Sequence, residues 1–199
     1  MPIELLRKIT TSLTWRLPTE EKVLYLTFDD GPIPVVTPWV LDQLGKYQAK
    51  ATFFCVGNNV RNHPEIFRRL NEEGHRVGNH TEHHTNGWTV LNREYYLDIA
   101  LCARVVKSDL FRPPYGKIRP TQVARLRKDY RIVMWDVLSK DYDQDLDGDT
   151  CYDRVVREAK PGSIIVFHDS IKAEERLRVA LPRVLEHFSS QGFRFAPIP

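Results

Sequence analysis

Hydrophobic residues along the chain fall into short runs separated by more polar, periodic stretches. The runs are rich in β-branched and aromatic residues and are bounded by turn residues, a pattern typical of buried strands. Seven strands are predicted in this way: 23–28, 51–56, 75–80, 109–112, 131–137, 163–168 and 193–198.

The stretches between these runs have helical periodicity. Pro64 near the start of one and Gly74 at its end are residues that commonly begin and end helices. Because strands and helices alternate, the order favours a parallel sheet with helical crossovers, either closed as a barrel or open and doubly wound. The predicted helices are 35–47, 63–74, 92–108, 121–130, 151–160 and 173–192.

Polar residues gather at the carboxyl ends of these strands, the face on which parallel sheets build their sites. Asp29 and Asp30 directly follow the first strand and precede Gly31. In a regular strand the two carboxylates would point to opposite faces, but at a sharp turn both can reach one cavity. An Asp-Gly turn without chemistry is the simpler alternative.

The segment "NHTEHHTNG", residues 79–87, carries three histidines. His80 and His84 are four apart, so on one helical turn they would share a face and could bind one cation, with His83 as a competing partner. A solvated polar turn is the alternative. Two histidines and one carboxylate would leave a coordination position for water, the composition of a catalytic metal site.

Other strand-end residues could complete a hydrolytic site. One of the two aspartates could bind the metal while its neighbour accepts a proton from water. Arg112 could hold that neighbour through a bidentate contact or form only a surface ion pair. His168 could protonate a leaving group, with Asp141 or Asp136 fixing its tautomer. The segment 141–149 lacks the spacing of a calcium loop and is interpreted as an acidic solvated loop.

Composition narrows the class of protein. The 199 residues fit one domain, and the net charge of +3 is spread without a basic block, which argues against a nucleic-acid partner. Cys55, Cys102 and Cys151 are far apart, so free buried thiols are expected. Residues 1–20 are predicted to be an N-terminal extension. No signal peptide or membrane span is visible, so a cytoplasmic monomer is the default expectation.

Five segments resemble, in order and spacing, the motifs of the NodB-homology polysaccharide deacetylases, carbohydrate esterase family 4. The resemblance implies one domain over 1–199, folded as an α/β distorted (β/α) barrel of about seven parallel strands. It also implies an enzyme that hydrolyses the N-acetyl amide of peptidoglycan- or chitin-type saccharides, many relatives acting on the cell wall or outside the cell. The segments are "TFDDGP" (27–32), "HTEHH" (80–84), "RPPYG" (112–116), "WDVLSKDY" (135–142) and "IIVFH" (164–168).

The resemblance also implies a role for each motif residue. Asp29 would be the general base, and Asp30, His80 and His84 would bind a divalent metal, with Zn²⁺ as the expected ion and Co²⁺, Mn²⁺ or Ni²⁺ as alternatives. Arg112 would orient Asp29, and His168 would be the general acid, partnered by Asp141. The Tyr115 N–H would bind the oxyanion. The expected substrate contacts are Pro114, Tyr115, Tyr142, Ile164 and Val166.

The fourth motif departs from the family pattern Asp-x-x-Asp-Trp. Those positions read Leu138, Asp141 and Tyr142, which changes the expected pocket wall. Two other functions therefore stay open: a relative that acts on small cyclic amides or imides, and a non-catalytic carbohydrate-binding protein that uses aromatic residues such as Trp39, Trp88 and Tyr115.

Overall fold

The structure is a computed structural model that describes residues 12–199. Eight strands and seven α-helices lie within that range, alternating for most of its length. The strands are β1 (Val23–Asp29), β2 (Thr52–Cys55), β3 (Arg76–Asn79), β4 (Leu110–Phe111), β5 (Arg131–Ile132), β6 (Val137–Leu138), β7 (Ile164–His168) and β8 (Arg194–Phe195). The helices are α1 (Val36–Lys46), α2 (Gly57–Asn62), α3 (Pro64–Glu72), α4 (Asn92–Cys102), α5 (Pro120–Leu126), α6 (Gly148–Glu158) and α7 (Glu174–Ser190).

The strands form one parallel sheet in the order β5-β4-β3-β2-β1-β7-β6, and β8 pairs with the start of β1. No ladder joins β5 to β6 within residues 12–199, so the sheet is a curled, open barrel. The predicted distorted (β/α) barrel is confirmed. The register aligns Asp29 of β1 with His168 of β7, which places two predicted catalytic residues at the same level.

The single strand predicted over 131–137 is wrong. It divides into β5, which pairs with β4, and β6, which pairs with β7. The apolar run was continuous in sequence, but the carbonyls of Val133 and Met134 accept hydrogen bonds from the Arg112 side chain. Helix α2 was missed because its sequence, GNNVRN, has no apolar periodicity.

The main core lies between the sheet and the helices around it. Its centre is a stack of aromatic rings from three adjacent strands: the Phe28 ring is 5.0 Å from Phe53 and 6.1 Å from Phe167. The three cysteines are buried and free, as predicted. Close packing of these rings therefore holds in place the strands that carry the site residues.

The N-terminal segment joins the sheet before β1 begins. Thr14 forms a bridge with Val133 and Arg16 with Ser163. The predicted extension, residues 1–20, lies partly outside the described residues. In the described part, no helix is both long and apolar enough to cross a membrane.

Candidate active site

A cavity of about 500 Å³ opens at the carboxyl ends of the strands. Side chains from β1, from β7 and from the loops after β3 and β4 line it. The predicted residues that line it are Asp29, Asp30, His80, His84, Tyr115, Tyr142, Val166 and His168.

The turn after β1 is held by Asp169, a residue that the sequence analysis did not identify. Asp30 has a φ of 86°, which turns the chain sharply between the two aspartates. Asp169 is buried and accepts the Gly31 N–H (3.1 Å) and the Thr37 hydroxyl (2.6 Å). Burial raises the pKa of Asp169 to about 8. Its signal in the sequence is its place beside His168 at the end of β7.

Gly31→Ala should destabilise this turn. A Cβ atom at Gly31 would lie 1.9 Å from Oδ2 of Asp169, a distance that forces the turn or the carboxylate to move. Overpacking of this kind typically costs about 1–3 kcal/mol in the free energy of unfolding, which urea denaturation would measure. In α1, a Cβ at Gly45 would meet nothing within 4 Å, so Gly45→Ala is the matched control and should stabilise by about 0.5–1 kcal/mol. Equal stability of the two variants would contradict this account of the turn.

Asp30, His80 and His84 form a group that could bind a metal ion, with ligand atoms within 4.8 Å of one another. Oδ1 of Asp30 lies 3.1 Å from Nε2 of His84 and 3.8 Å from Nε2 of His80. That oxygen is buried and accepts no hydrogen bond. The Nδ1–H of His80 donates to the Arg112 carbonyl (2.8 Å), which leaves the Nε2 lone pair free.

The protonation states of this group suit a cation. Burial lowers the pKa of His80 to about 4, so its ring is neutral at physiological pH. Burial opposes ionisation of Asp30, but the close contact with His84 and the nearby imidazoles of His168 and His80 outweigh it and lower its pKa. An ionised Asp30 carboxylate and a neutral His80 ring with an unshared lone pair on Nε2 fit a divalent metal of the zinc type.

The expectation that His80 and His84 share a helical turn is wrong. Residues 80 to 84 form an irregular loop in which Thr81 and His84 have φ values of 66° and 56°. The loop is held from α4 by Asp98, which accepts the backbone N–H (3.1 Å) and the ring N–H (2.6 Å) of His83. His83 is thereby turned away from the ligand group.

Arg112 and Asp29 form a buried ion pair, Nη1 to Oδ1, at 2.6 Å. The predicted bidentate contact is not formed, because the other N–H groups of Arg112 donate to the carbonyls of Val133 and Met134. Nη1 also donates to the hydroxyl of Thr27 (2.7 Å), a residue that the sequence analysis missed. The arrangement fixes one oxygen of Asp29, which also lines the cavity.

His168 is paired with Asp141. The distance from its Nδ1 to Oδ1 of Asp141 is 2.7 Å, and its backbone N–H donates to Oδ2. Burial opposes protonation of His168, but the charge and hydrogen bond of Asp141 raise its pKa to about 9. Asp136, the other candidate, accepts hydrogen bonds from Ser163 and Ile164 instead.

Aromatic side chains form two walls of the cavity. The Tyr142 ring meets His168 edge-on at 5.0 Å. The Tyr115 ring lies 4.6 Å from the His84 ring, and its hydroxyl is 3.2 Å from Nδ1 of His84. Tyr115 also has a φ of 61°. The use of its backbone N–H to bind an oxyanion stays a prediction.

The apolar wall differs from the expectation. Val166 lines the cavity together with Leu138, its partner on β6. Ile164, two residues earlier on β7, packs instead in a core cluster with Leu110 and Val133. Pro114 is buried in the 3-10 turn after β4, where it supports the neighbouring Tyr115.

Comparisons of this chain with known protein sequences all indicate the same family. The family profile "Polysaccharide deacetylase" matches residues 16–133. A peptidoglycan-N-acetylglucosamine deacetylase of Bacillus cereus is 36% identical over 95% of this chain and 92% of its own length. A chitooligosaccharide deacetylase of Azorhizobium caulinodans is 31% identical over 92% of this chain and 96% of its own length.

A solved structure is similar over the whole chain. It is a peptidoglycan N-acetylglucosamine deacetylase in complex with 4-naphthalen-1-yl-N-oxidanyl-benzamide, 30% identical, with a TM-score of 0.90. The match covers 100% of this chain and 95% of that one.

Proposed function

This chain belongs to the polysaccharide deacetylase family, and we propose that it hydrolyses the N-acetyl groups of amino-sugar saccharides with the aid of a bound metal. The observation that carries the proposal is the convergence of three elements in one cavity. These are the ligand group of Asp30, His80 and His84, the buried Asp29–Arg112 pair and the His168–Asp141 pair.

The family uses a divalent metal, and we infer Zn²⁺ for this chain. Two imidazole nitrogens and one carboxylate oxygen leave a fourth position open, as in catalytic zinc sites. When bound, the metal supplies a lowered pKa for water and polarisation of the acetamide carbonyl. Asp30, His80 and His84 would hold it.

The chain's own residues would move the protons. Asp29, held through one oxygen by Arg112, would accept a proton from the attacking water. His168, kept protonated beside Asp141, would give a proton to the departing amine. The Tyr115 N–H would stabilise the oxyanion, and Val166 with Leu138 would contact the acetyl methyl group.

Metal-dependent release of acetate tests this function directly. Protein stripped of metal and then restored with Zn²⁺ or Co²⁺ would be assayed on chitin-type and peptidoglycan-type oligosaccharides. We expect release only after metal is restored. Binding of saccharide without release from the metal-loaded protein would support the non-catalytic alternative, and turnover of cyclic imides alone would support the small-amide alternative.

Asp141→Asn should shift the pH dependence of turnover. The raised pKa of His168 keeps the acid protonated at pH values below about 9, so activity should fall as the pH rises through that value. Loss of the Asp141 charge lowers this pKa while burial still opposes protonation. The alkaline limb of kcat should therefore move toward neutral pH by about one pH unit or more. An unchanged limb would show that His168 is not the acid; Asp136→Asn serves as the control.

A further inference from the structure

Two lysines at the mouth of the cavity have no role in the chemistry described above. Lys117 follows β4 and Lys172 follows β7, and both side chains line the cavity. In the sheet, these strands lie on either side of β1, which carries the two aspartates. The lysines therefore flank the reacting centre from two directions.

Both ammonium groups lie beside aromatic rings. Nζ of Lys117 is 5.8 Å from the Trp88 ring and 6.0 Å from the Tyr115 ring. Nζ of Lys172 is 5.8 Å from the Tyr142 ring. Trp88 is 56% exposed and Tyr115 61% exposed, so both side chains are accessible from solvent beside a positive charge.

Neither lysine has a carboxylate partner among residues 12–199. Two acidic side chains that follow Lys172 in sequence are engaged with arginines, Glu174 with Arg178 and Glu175 with Arg176. Both lysines thus keep their charge available at the cavity mouth.

The acidic loop near Tyr142 is also largely engaged elsewhere. Asp143 accepts the N–H of Asp145, and Asp147 accepts the N–H of Thr150 at the start of α6. Asp149 pairs with an arginine of α7. These carboxylates stabilise their own loop and helix, and among residues 12–199 none of them forms an ion pair with Lys172.

We propose that Lys117 and Lys172 bind carboxylate groups of the saccharide, so that the preferred substrate is an acidic amino-sugar polymer. This inference rests on the proposed function and names its substrate class. The aromatic faces would stack on sugar rings, while the ammonium groups would pair with carboxylates carried next to the acetamido sugar. Chitin is neutral, whereas peptidoglycan strands carry lactyl or peptide carboxylates.

The expected size of the preference for an acidic saccharide follows from the solvent exposure of the two lysines. An exposed charge pair contributes a factor of about two to five in an equilibrium. Two such contacts together should give roughly tenfold in kcat/KM. Because the groups are open to solvent, the preference should weaken strongly at ionic strengths near 1 M, where the Debye length is about 3 Å.

The test uses two saccharides that differ only in charge. One is an alternating N-acetylglucosamine and N-acetylmuramic acid tetrasaccharide with free lactyl carboxylates, and the other is its methyl ester. Acetate release by the Zn²⁺-loaded protein gives the ratio of kcat/KM for acid over ester. We expect a preference for the acid that falls several-fold in Lys117→Gln and in Lys172→Gln, and is retained in the matching arginine variants.

A control lysine lies at the opposite end of the strands from the cavity. Lys160 precedes β7 at its amino end and is exposed, so Lys160→Gln should keep the wild-type ratio. A wild-type ratio near one, or a ratio that the lysine variants leave unaltered, would overturn the inference. Calorimetry of the binding of the same two saccharides tests the lysine assignment separately from the proposed function. Acid-selective binding without acetate release would reject hydrolysis alone, and release without selectivity would reject the lysine assignment alone.

Discussion

Asp29→Asn should lower kcat by about 10²- to 10⁴-fold, the usual contribution of a positioned general base. The amide cannot accept the proton of the attacking water, yet it has nearly the shape of the carboxylate. Asp29 lies at the end of β1 with one oxygen fixed by Arg112, so the substitution changes charge more than geometry. Initial rates of acetate release at saturating Zn²⁺ measure the effect.

The companion control for this variant is Asp42→Asn in α1. Asp42 pairs with Arg69 at the surface, so the same chemical change there should leave kcat within about twofold of the wild type, given the small energy of exposed ion pairs. If Asp29→Asn retained full activity, Asp29 could not be the base.

Arg112→Met should both unfold the protein more easily and inactivate it. The guanidinium is fully buried, its carbon lies 4.1 Å from the Phe54 ring, and its N–H groups donate to Asp29 and two backbone carbonyls. Removing one partner of a buried ion pair typically costs about 3–5 kcal/mol. The change would also remove the N–H that fixes one oxygen of Asp29, so the general base would lose its position and kcat should fall.

Urea denaturation and kinetics together separate these two effects. Arg125→Met is the matched control, because Arg125 of α5 forms an exposed pair with Asp129 in the turn that follows the helix and its loss should cost at most about 1 kcal/mol. In an Asp29→Asn background, Arg112→Met should add little further loss of kcat, since the base is already absent. Fully additive losses would contradict a role for Arg112 through Asp29.

The sequence was sufficient for the architecture and the motif residues because both depend on local pattern. Alternating strands and helices predicted a parallel sheet with helical crossovers, and the family resemblance implied the barrel. Strand-end polar residues predicted where the cavity would lie. The residues alone left Asp141 and Asp136 as alternative partners of His168, and the resemblance implied Asp141. The pairing of β6 with β7 places Asp141 against the imidazole.

The supporting contacts could not be predicted because they join residues far apart in the chain. Thr27 meets Arg112, Asp169 meets the Gly31 turn, and Asp98 holds the histidine loop across 15 positions. The loop itself depends on positive φ values at His84 and Thr81, which spacing alone does not reveal. Such contacts form only when the fold brings distant segments of the chain together.

The central claim is that adjacent carboxylates divide the work, Asp30 binding the metal and Asp29 acting as base. The most direct test is the zinc affinity of Asp29→Asn and Asp30→Asn, the same change at neighbouring positions, measured by competition with a chromogenic chelator. We predict near wild-type affinity for Asp29→Asn and affinity lowered by at least about tenfold for Asp30→Asn, which loses a charged ligand. Equal affinities, or the reverse order, would contradict the assignment.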